Sequence, residues 1–309
     1  VNGVSITNAT TAGIHIKDYA LNTNNADITL NVLGNTTISD SVTGVLVEGA
    51  DATLTSSGSY PAATISGNTA HGIRATAATV DADLLNINTN GVGIEAQNGA
   101  TVAVNTSNIT SNTGNGATNS NPSGTPVLDA TNNWWGNANG PGGSGPGMGD
   151  EVSANVNFCP WLNAPAPGGA SFTPTVTILV TETSGLTNND GTICLGASAG
   201  LNATTPGATA YVWDNALAAV PTQTVTPTIS TTYNVTVTIP GCMVSDAQLI
   251  TVDPLPSTTI TADAVVCGIS TGNIASVPDA GVGATYNWSI TNGSITGGAG
   301  TNSITYTAG

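Results

Sequence analysis

The sequence predicts an all-β protein: a parallel β-helix of stacked coils followed by β-sandwich modules. Three observations predict it. Charged residues are 6% of the 309 where about 25% is usual, and Thr, Asn, Ser and Gly, which favour strands and turns, supply the polar surface instead. A repeat of short strands runs through roughly the first 120 residues. After a Pro/Gly-rich stretch the pattern changes to longer alternating strands.

The coils come first. Ile6, Ile38, Ile65, Ile87 and Ile109 each precede a glycine by six or seven residues, namely Gly13, Gly44, Gly72, Gly93 and Gly116. An aliphatic residue or Ala follows each glycine (Ile14, Val45, Ile73, Ile94, Ala117). A second landmark recurs as Ala26-Asp27-Ile28, Ala50-Asp51-Ala52, Ala78-Thr79-Val80 and Ala100-Thr101-Val102, and the last two repeats settle to 22 residues. Short strands between Gly and Asn corners at this period describe a solenoid in which each coil lies on the next. Asn8, Asp40, Asn68, Asn90 and Asn112 follow the isoleucines and are expected to form a stacked polar ladder, since Asn tolerates the left-handed corner and its amide can bond its equivalent one coil away.

An open solenoid end exposes strand edges and a cut core. Asp129 to Gly140-Pro141, containing Trp134, Trp135 and Gly136, and Val156 to Leu162, containing Phe158, Cys159 and Trp161, supply the bulk to close it. Trp134 and Trp135 face opposite ways in an extended segment, so one caps the core while the other faces out. A cap is preferred here to a sugar platform. This stretch resembles the segment that closes right-handed parallel β-helices of the pectin-lyase-like class in secreted bacterial proteins. The resemblance covers about residues 1–162, and we place the β-helix with its cap at 1–163.

Ala164 to Gly169 opens a linker, 164–173, and a domain boundary. Strand-like runs then follow through Thr175 to Val180, Tyr211-Val212-Trp213, Thr231 to Thr238 and Ile250-Thr251-Val252. They read as a β-sandwich over 174–254. Trp213 lies between Cys194 and Cys242, as a core tryptophan against an inter-sheet disulfide would, so a Cys194–Cys242 bridge is expected. Tyr233, nine residues before Cys242, does not fit the antibody tyrosine corner; the similarity is to the broader Ig-like and PKD-like modules of bacterial surface proteins. A second copy over 255–309 repeats the order with Cys267, Trp288 as its core tryptophan, and Ser303 to Tyr306. It stops before a returning strand, which predicts that the polypeptide continues. The partners of Cys159 and Cys267 stay open.

Charge and residue usage exclude several functions. Lys17 and Arg74 are the only Lys or Arg residues against 18 acids, a net charge of −16, so counterion-releasing contact with nucleic acid is excluded and anionic membrane surfaces are disfavoured. No run approaches the ~20 apolar residues of a membrane span. The four cysteines show no metal or thioredoxin spacing and suit disulfides in an oxidising compartment. A lyase would need a basic side chain, and Lys17 and Arg74 fall about three coils apart. Asp81 and Asp83 share a strand face but are read as a solvated acidic surface rather than a hydrolytic pair. His15 and His71 sit at different offsets from their glycines, so no metal pair follows, and Asp150-Glu151 is read as loop acid rather than calcium site. Ice binding ranks low because the threonines do not keep register along the chain.

The reading is therefore a non-catalytic extracellular structural and adhesive protein of a bacterial cell surface, a rod-like part of a larger repeat protein. No catalytic, cofactor-binding or metal-ligating residue is assigned. The expected partners are surface proteins, glycans or solid substrates, with self-association a further option. The tandem modules resemble those of type IX-secreted adhesins, which implies secretion by that route. The alternatives are a polysaccharide-active β-helix enzyme or carbohydrate-binding protein, and an extracellular filament or sheath subunit.

Overall fold

A computed structural model describes residues 4–17, 26–31, 36–49, 52–57, 63–185, 187–281 and 283–309, with the backbone alone for 26–31 and 52–57. Three parallel sheets form the N-terminal β-helix. The first is built of Ser5–Thr7, Thr37–Ser39, Ala63–Ser66, Leu85–Asn88 and Asn108–Thr110. In it Ile6, Ile38, Ile65, Ile87 and Ile109 stand in one register, each over the next. The last four are at most 3% exposed, so this column is a continuous core. Ile works here because each coil contributes one inward side chain to this wall and a branched aliphatic fills the width.

The second sheet stacks Ala12–Lys17, Thr43–Glu48, His71–Thr76, Val92–Gln97 and Ala117–Ser120, and continues through Gly149–Val152 and Pro141–Gly143. Ile14, Val45, Ile73, Ile94 and Ala117 are its aligned inward residues. The glycine just before each of them is required by close approach. A Cβ on Gly44 would sit 2.6 Å from the Gly72 carbonyl oxygen, and one on Gly72 2.6 Å from that of Gly93, closer than any carbon can sit.

The third sheet runs Ala26–Asn31, Ala52–Ser57, Thr79–Asp83, Thr101–Asn105, Leu128–Asp129 and Val156–Asn157. Its register corrects the second landmark: Ala26 pairs with Ala52 and Thr53 with Thr79. The aligned triplet is thus Ala52-Thr53-Leu54, two residues later than the expected Ala50-Asp51-Ala52; Ala50 and Asp51 themselves lie outside the described residues. The early coils are longer than the later repeat, 32 residues from Ile6 to Ile38 against 22 from Ile87 to Ile109, so spacing along the chain does not fix the offset.

At the corner after the first sheet, Asn8, Asp40, Thr89 and Ser111 all take the left-handed conformation (φ 61°, 54°, 54° and 58°), and Gly67 (φ 66°) takes it in the middle coil. This corrects the polar ladder. Asn8 and Asp40 are corner residues, and the ladder position is the next residue, so its members are Ser41, Asn68, Asn90 and Asn112.

Contacts divide the chain into two compact units, Val1–Leu179 with Gly200–Gln223 and Thr232–Gln248, and Val180–Ala199 with Thr224–Thr231 and Leu249–Gly309. In the first unit, beyond the β-helix, Ala210–Trp213 pairs antiparallel with Thr231–Ile239, placing Trp213 opposite Val235. Trp213, Tyr233, Val235, Val237 and Ile239 are all buried, and the alternation along Tyr233 to Ile239 is that of a strand with one face in a core. In the second unit, Thr192–Cys194 pairs in parallel with the end of the strand Cys242–Asp253, Cys194 opposite Asp253. A four-stranded antiparallel sheet ends this unit, in the order Thr261–Ala262, Asn273–Ser276, Ser303–Ala308, Gly293–Gly297.

Candidate functional site

Three of the four aromatic residues expected in the cap are buried. Trp135 and Phe158 are fully buried and Trp161 is 2% exposed, all within the β-helix core. Trp134, the neighbour of Trp135, is half-buried and acts through its backbone: its N–H donates to the Ser107 carbonyl at 2.8 Å and its carbonyl accepts from the Ile109 N–H at 2.8 Å, adding a rung to the first sheet. The Trp161 indole donates to the Ala138 carbonyl at 3.0 Å, and its ring packs against Phe172 with centroids 5.1 Å apart. The buried amide of Asn133 donates to Val104 and Ala130 carbonyls, and its oxygen accepts from the Ser107 N–H. Aromatic bulk thus fills the core end while backbone pairing covers the strand edge.

The disulfide differs from expectation. Cys242 bonds Cys159, with Cα atoms 5.5 Å apart, and Cys194 and Cys267 are free and exposed. The physical reason is strand geometry. Cys194 pairs at Asp253, the last residue of the strand that Cys242 begins. Eleven residues of extended chain span roughly 36 Å, far beyond the reach of a disulfide. Cys242 instead follows the turn Pro240-Gly241, whose Pro240 carbonyl accepts from the N–H groups of Phe158 and Cys159 at 3.3 and 3.1 Å. A Cβ on Gly241 would strike the Cys159 carbonyl, so the turn seats there only with glycine.

Of the two expected module-core tryptophans, Trp213 is 6% exposed with its indole donating to the Val220 carbonyl at 2.9 Å. Trp288 is only half-buried; its indole donates to the Thr301 carbonyl at 2.8 Å. It lines an open groove of about 420 Å3 together with Tyr286, Ile260 and Val277.

The ionisable groups of the β-helix sort by sheet, which counting along the chain could not show. Lys17 and Arg74 lie two coils apart on the second sheet, not three. His15 Nε2 lies 2.9 Å and Lys17 Nζ 3.6 Å from Glu48 Oε2; the hydrogen bond from His15, with Lys17 beside it, holds the Glu48 carboxyl below its ordinary range. Two coils on, His71 Nε2 and Arg74 Nε approach Glu95 Oε2 at 3.0 and 3.3 Å. Burial pushes the His71 pKa down against the pull of Glu95. His15 aligns with Leu46 and His71 with Thr43, so the two histidines occupy different ranks. On the third sheet, burial and then the neighbouring Asp81 raise the Asp83 carboxyl.

Asp150 has a structural task that its sequence position did not reveal. Asn68 Nδ2 donates to Asn90 Oδ1 at 2.8 Å, Asn90 Nδ2 to Asn112 Oδ1 at 3.0 Å, and Asn112 Nδ2 to Asp150 Oδ2 at 2.7 Å. Among the described residues no group of three His, Cys, Asp or Glu side chains is placed to hold a metal ion, and no helix is long and apolar enough to cross a membrane.

Residues 253–309 match the family model of a PKD-like domain. The antiparallel sheet from Thr261 to Ala308 and Trp288 belong to this PKD-like domain. No curated protein and no solved structure matches the chain.

Proposed function

We propose that the chain is a non-catalytic structural and adhesive protein of the bacterial cell surface. The observation that carries this is the unbroken stack: inward residues of all five coils stand in one register through two sheets, locked by glycines whose backbones touch. In such a stack each coil is held by its neighbours, which suits a load-bearing rod. The PKD-like domain at 253–309 and the buried Cys159–Cys242 bridge support an extracellular setting, since disulfides persist in oxidising compartments. The resemblance of the modules to those of type IX-secreted adhesins supports delivery to the cell surface by that route.

The charged clusters support the same reading over an enzymatic one. Both basic side chains are held in ion pairs with Glu48 and Glu95, and His71 is largely buried beside Glu95. The test is incubation of the full chain with a panel of neutral and uronate glycans, followed by assays for reducing ends and unsaturated products, alongside adherence of protein-coated beads to the same glycans as solids. Adherence without products is expected. New reducing ends or unsaturated sugars overturn the proposal.

A further inference from the structure

The three sheets of the β-helix divide the chemistry of its surface. The second carries both ion-pair clusters, and the third carries Asp81, Asp83 and Asp129. The first carries none: each of its five strands has an inward isoleucine flanked by uncharged Ser, Thr or Asn, and strict alternation turns the flanking residues outward. Registers place these flanking residues in two ranks. Thr37, Thr64 and Asn86 belong to one, and Ser66, Asn88 and Thr110 to the other. The threonines form no ladder of their own, as expected, because Ser and Asn share both ranks with them. What is aligned across the sheet is uncharged hydroxyl and amide side chains as a group.

We propose that this outer face of the first sheet is the adhesive surface and that its partner is an uncharged crystalline polysaccharide. The proposal rests on the adhesive reading above and deepens it. Charge chooses the partner. The chain carries −16, so a second copy, an acidic glycan or an anionic surface is repelled. A neutral solid is not repelled, and the flanking side chains of this face carry no charge to strip of water, Asp40 standing at its corner beside Ser39, whereas both other sheets carry carboxylates on their strands. Hydroxyl and amide groups both donate and accept, so each exchanges a water for a sugar hydroxyl at little net cost. Such contacts are weak singly. Repetition makes them add, with about 4.8 Å between coils and about 6.6 Å between ranks.

The amides are already ordered along a rank: Asn108 Nδ2 donates to Asn86 Oδ1 at 2.8 Å. Asn108 also accepts from the Ala166 N–H at 2.8 Å, so the linker covers that end and the array is continued over the earlier coils. Ser39 is 8% exposed with its hydroxyl donating to Asp40, so the centre of the array is Thr64, Ser66 and Asn86. The mixture of Ser and Thr with the longer Asn departs from the uniform surface that a lattice of single waters would require, which favours sugar over ice.

The test is co-sedimentation of the full chain with microcrystalline cellulose and with chitin powder over a range of salt. Binding is expected to at least one powder and to be insensitive to salt, because no charge takes part. The double variant Thr64→Glu with Asn86→Glu should lose about tenfold or more of the binding. Ala103→Glu, on the third sheet, should bind as the parent does; circular dichroism and thermal melts of all three confirm folding. The proposal is overturned if the parent sediments with neither powder, if the double variant binds as well as the parent, or if the chain blocks ice recrystallisation while sedimenting with neither. Sugars released from the powders would instead overturn the non-catalytic reading, and the variants would still decide whether this face binds.

Discussion

Asp150 closes the amide ladder of the β-helix by accepting, through Oδ2, both the side-chain N–H of Asn112 at 2.7 Å and its backbone N–H at 2.9 Å. Each asparagine above it passes a donor to the next coil. A carboxylate, having acceptors only, can end such a chain without leaving a donor unpaired.

That position carries a cost in charge. Burial raises the Asp150 carboxyl despite the hydrogen bonds from Asn112, which lower it. A raised folded-state pKa means that the folded chain holds the proton more tightly, so stability falls as pH rises from the unfolded value near 3.8 through the folded one. Asp150→Asn keeps an acceptor and removes the charge. It should be most favourable relative to the parent near neutral pH, with the advantage shrinking as pH falls toward 3.8; Asp150→Ala should be worse than either. Urea unfolding of the three proteins at pH 7 and pH 4 measures this, and a parent–Asn difference independent of pH refutes the burial argument.

Asn90, inside the ladder, is fully buried and has its amide nitrogen on Asn112 Oδ1 and the Ile65 carbonyl, both at 3.0 Å. Asn90→Ala strands these partners and those of the coil above, a loss of about 2–5 kcal/mol. Asn90→Asp should be worse still at neutral pH, because it turns a buried carboxylate toward two acceptors. Denaturant midpoints of the two variants give the order.

Gly72→Ala should destabilise the chain by about 1–3 kcal/mol, because the new methyl meets the Gly93 carbonyl at 2.6 Å and the Asn90 amide nitrogen at 2.9 Å. Gly300→Ala, where nothing lies within 4 Å, is the control. Equal melting temperatures for the two variants contradict the close-packed glycine column.

Peptide mapping without reductant should recover a Cys159–Cys242 linked pair and should find Cys194 and Cys267 open to alkylation. The bridge closes 83 residues, which corresponds to roughly 4–5 kcal/mol of restraint on the unfolded chain. Cys242→Ser should therefore lower stability by that order, whereas Cys194→Ser should leave it unchanged; an equal loss in Cys194→Ser points to a Cys194–Cys242 bridge instead.

The legible parts were those set by one residue type at one offset. Ile87 and Ile109 stand 22 residues apart, as do the strands that carry them, so the repeat and the stack are the same fact. The early coils broke that identity. Ile6 and Ile38 pair although they are 32 residues apart, so spacing did not locate the second landmark there, and the ladder position was missed where it holds Ala9 or Ser41 in place of asparagine. Trp135 and Phe158 could be read as a plug because so apolar a pair in an aromatic-poor chain must be buried. Nothing in the spacing of Cys159 announced its partner.

By itself the sequence determined the class, the repeat, the inward columns and the place of the cap, because burial needs only the pattern of apolar residues along each short strand. Tertiary structure alone decided which cysteines meet, which amides form the ladder, and how charge is shared among the three sheets. The amides and charges depend on register between coils of unequal length, and the disulfide on the seating of the Pro240-Gly241 turn against Phe158 and Cys159. Both are contacts between residues far apart in the chain, which no pattern along one short strand records.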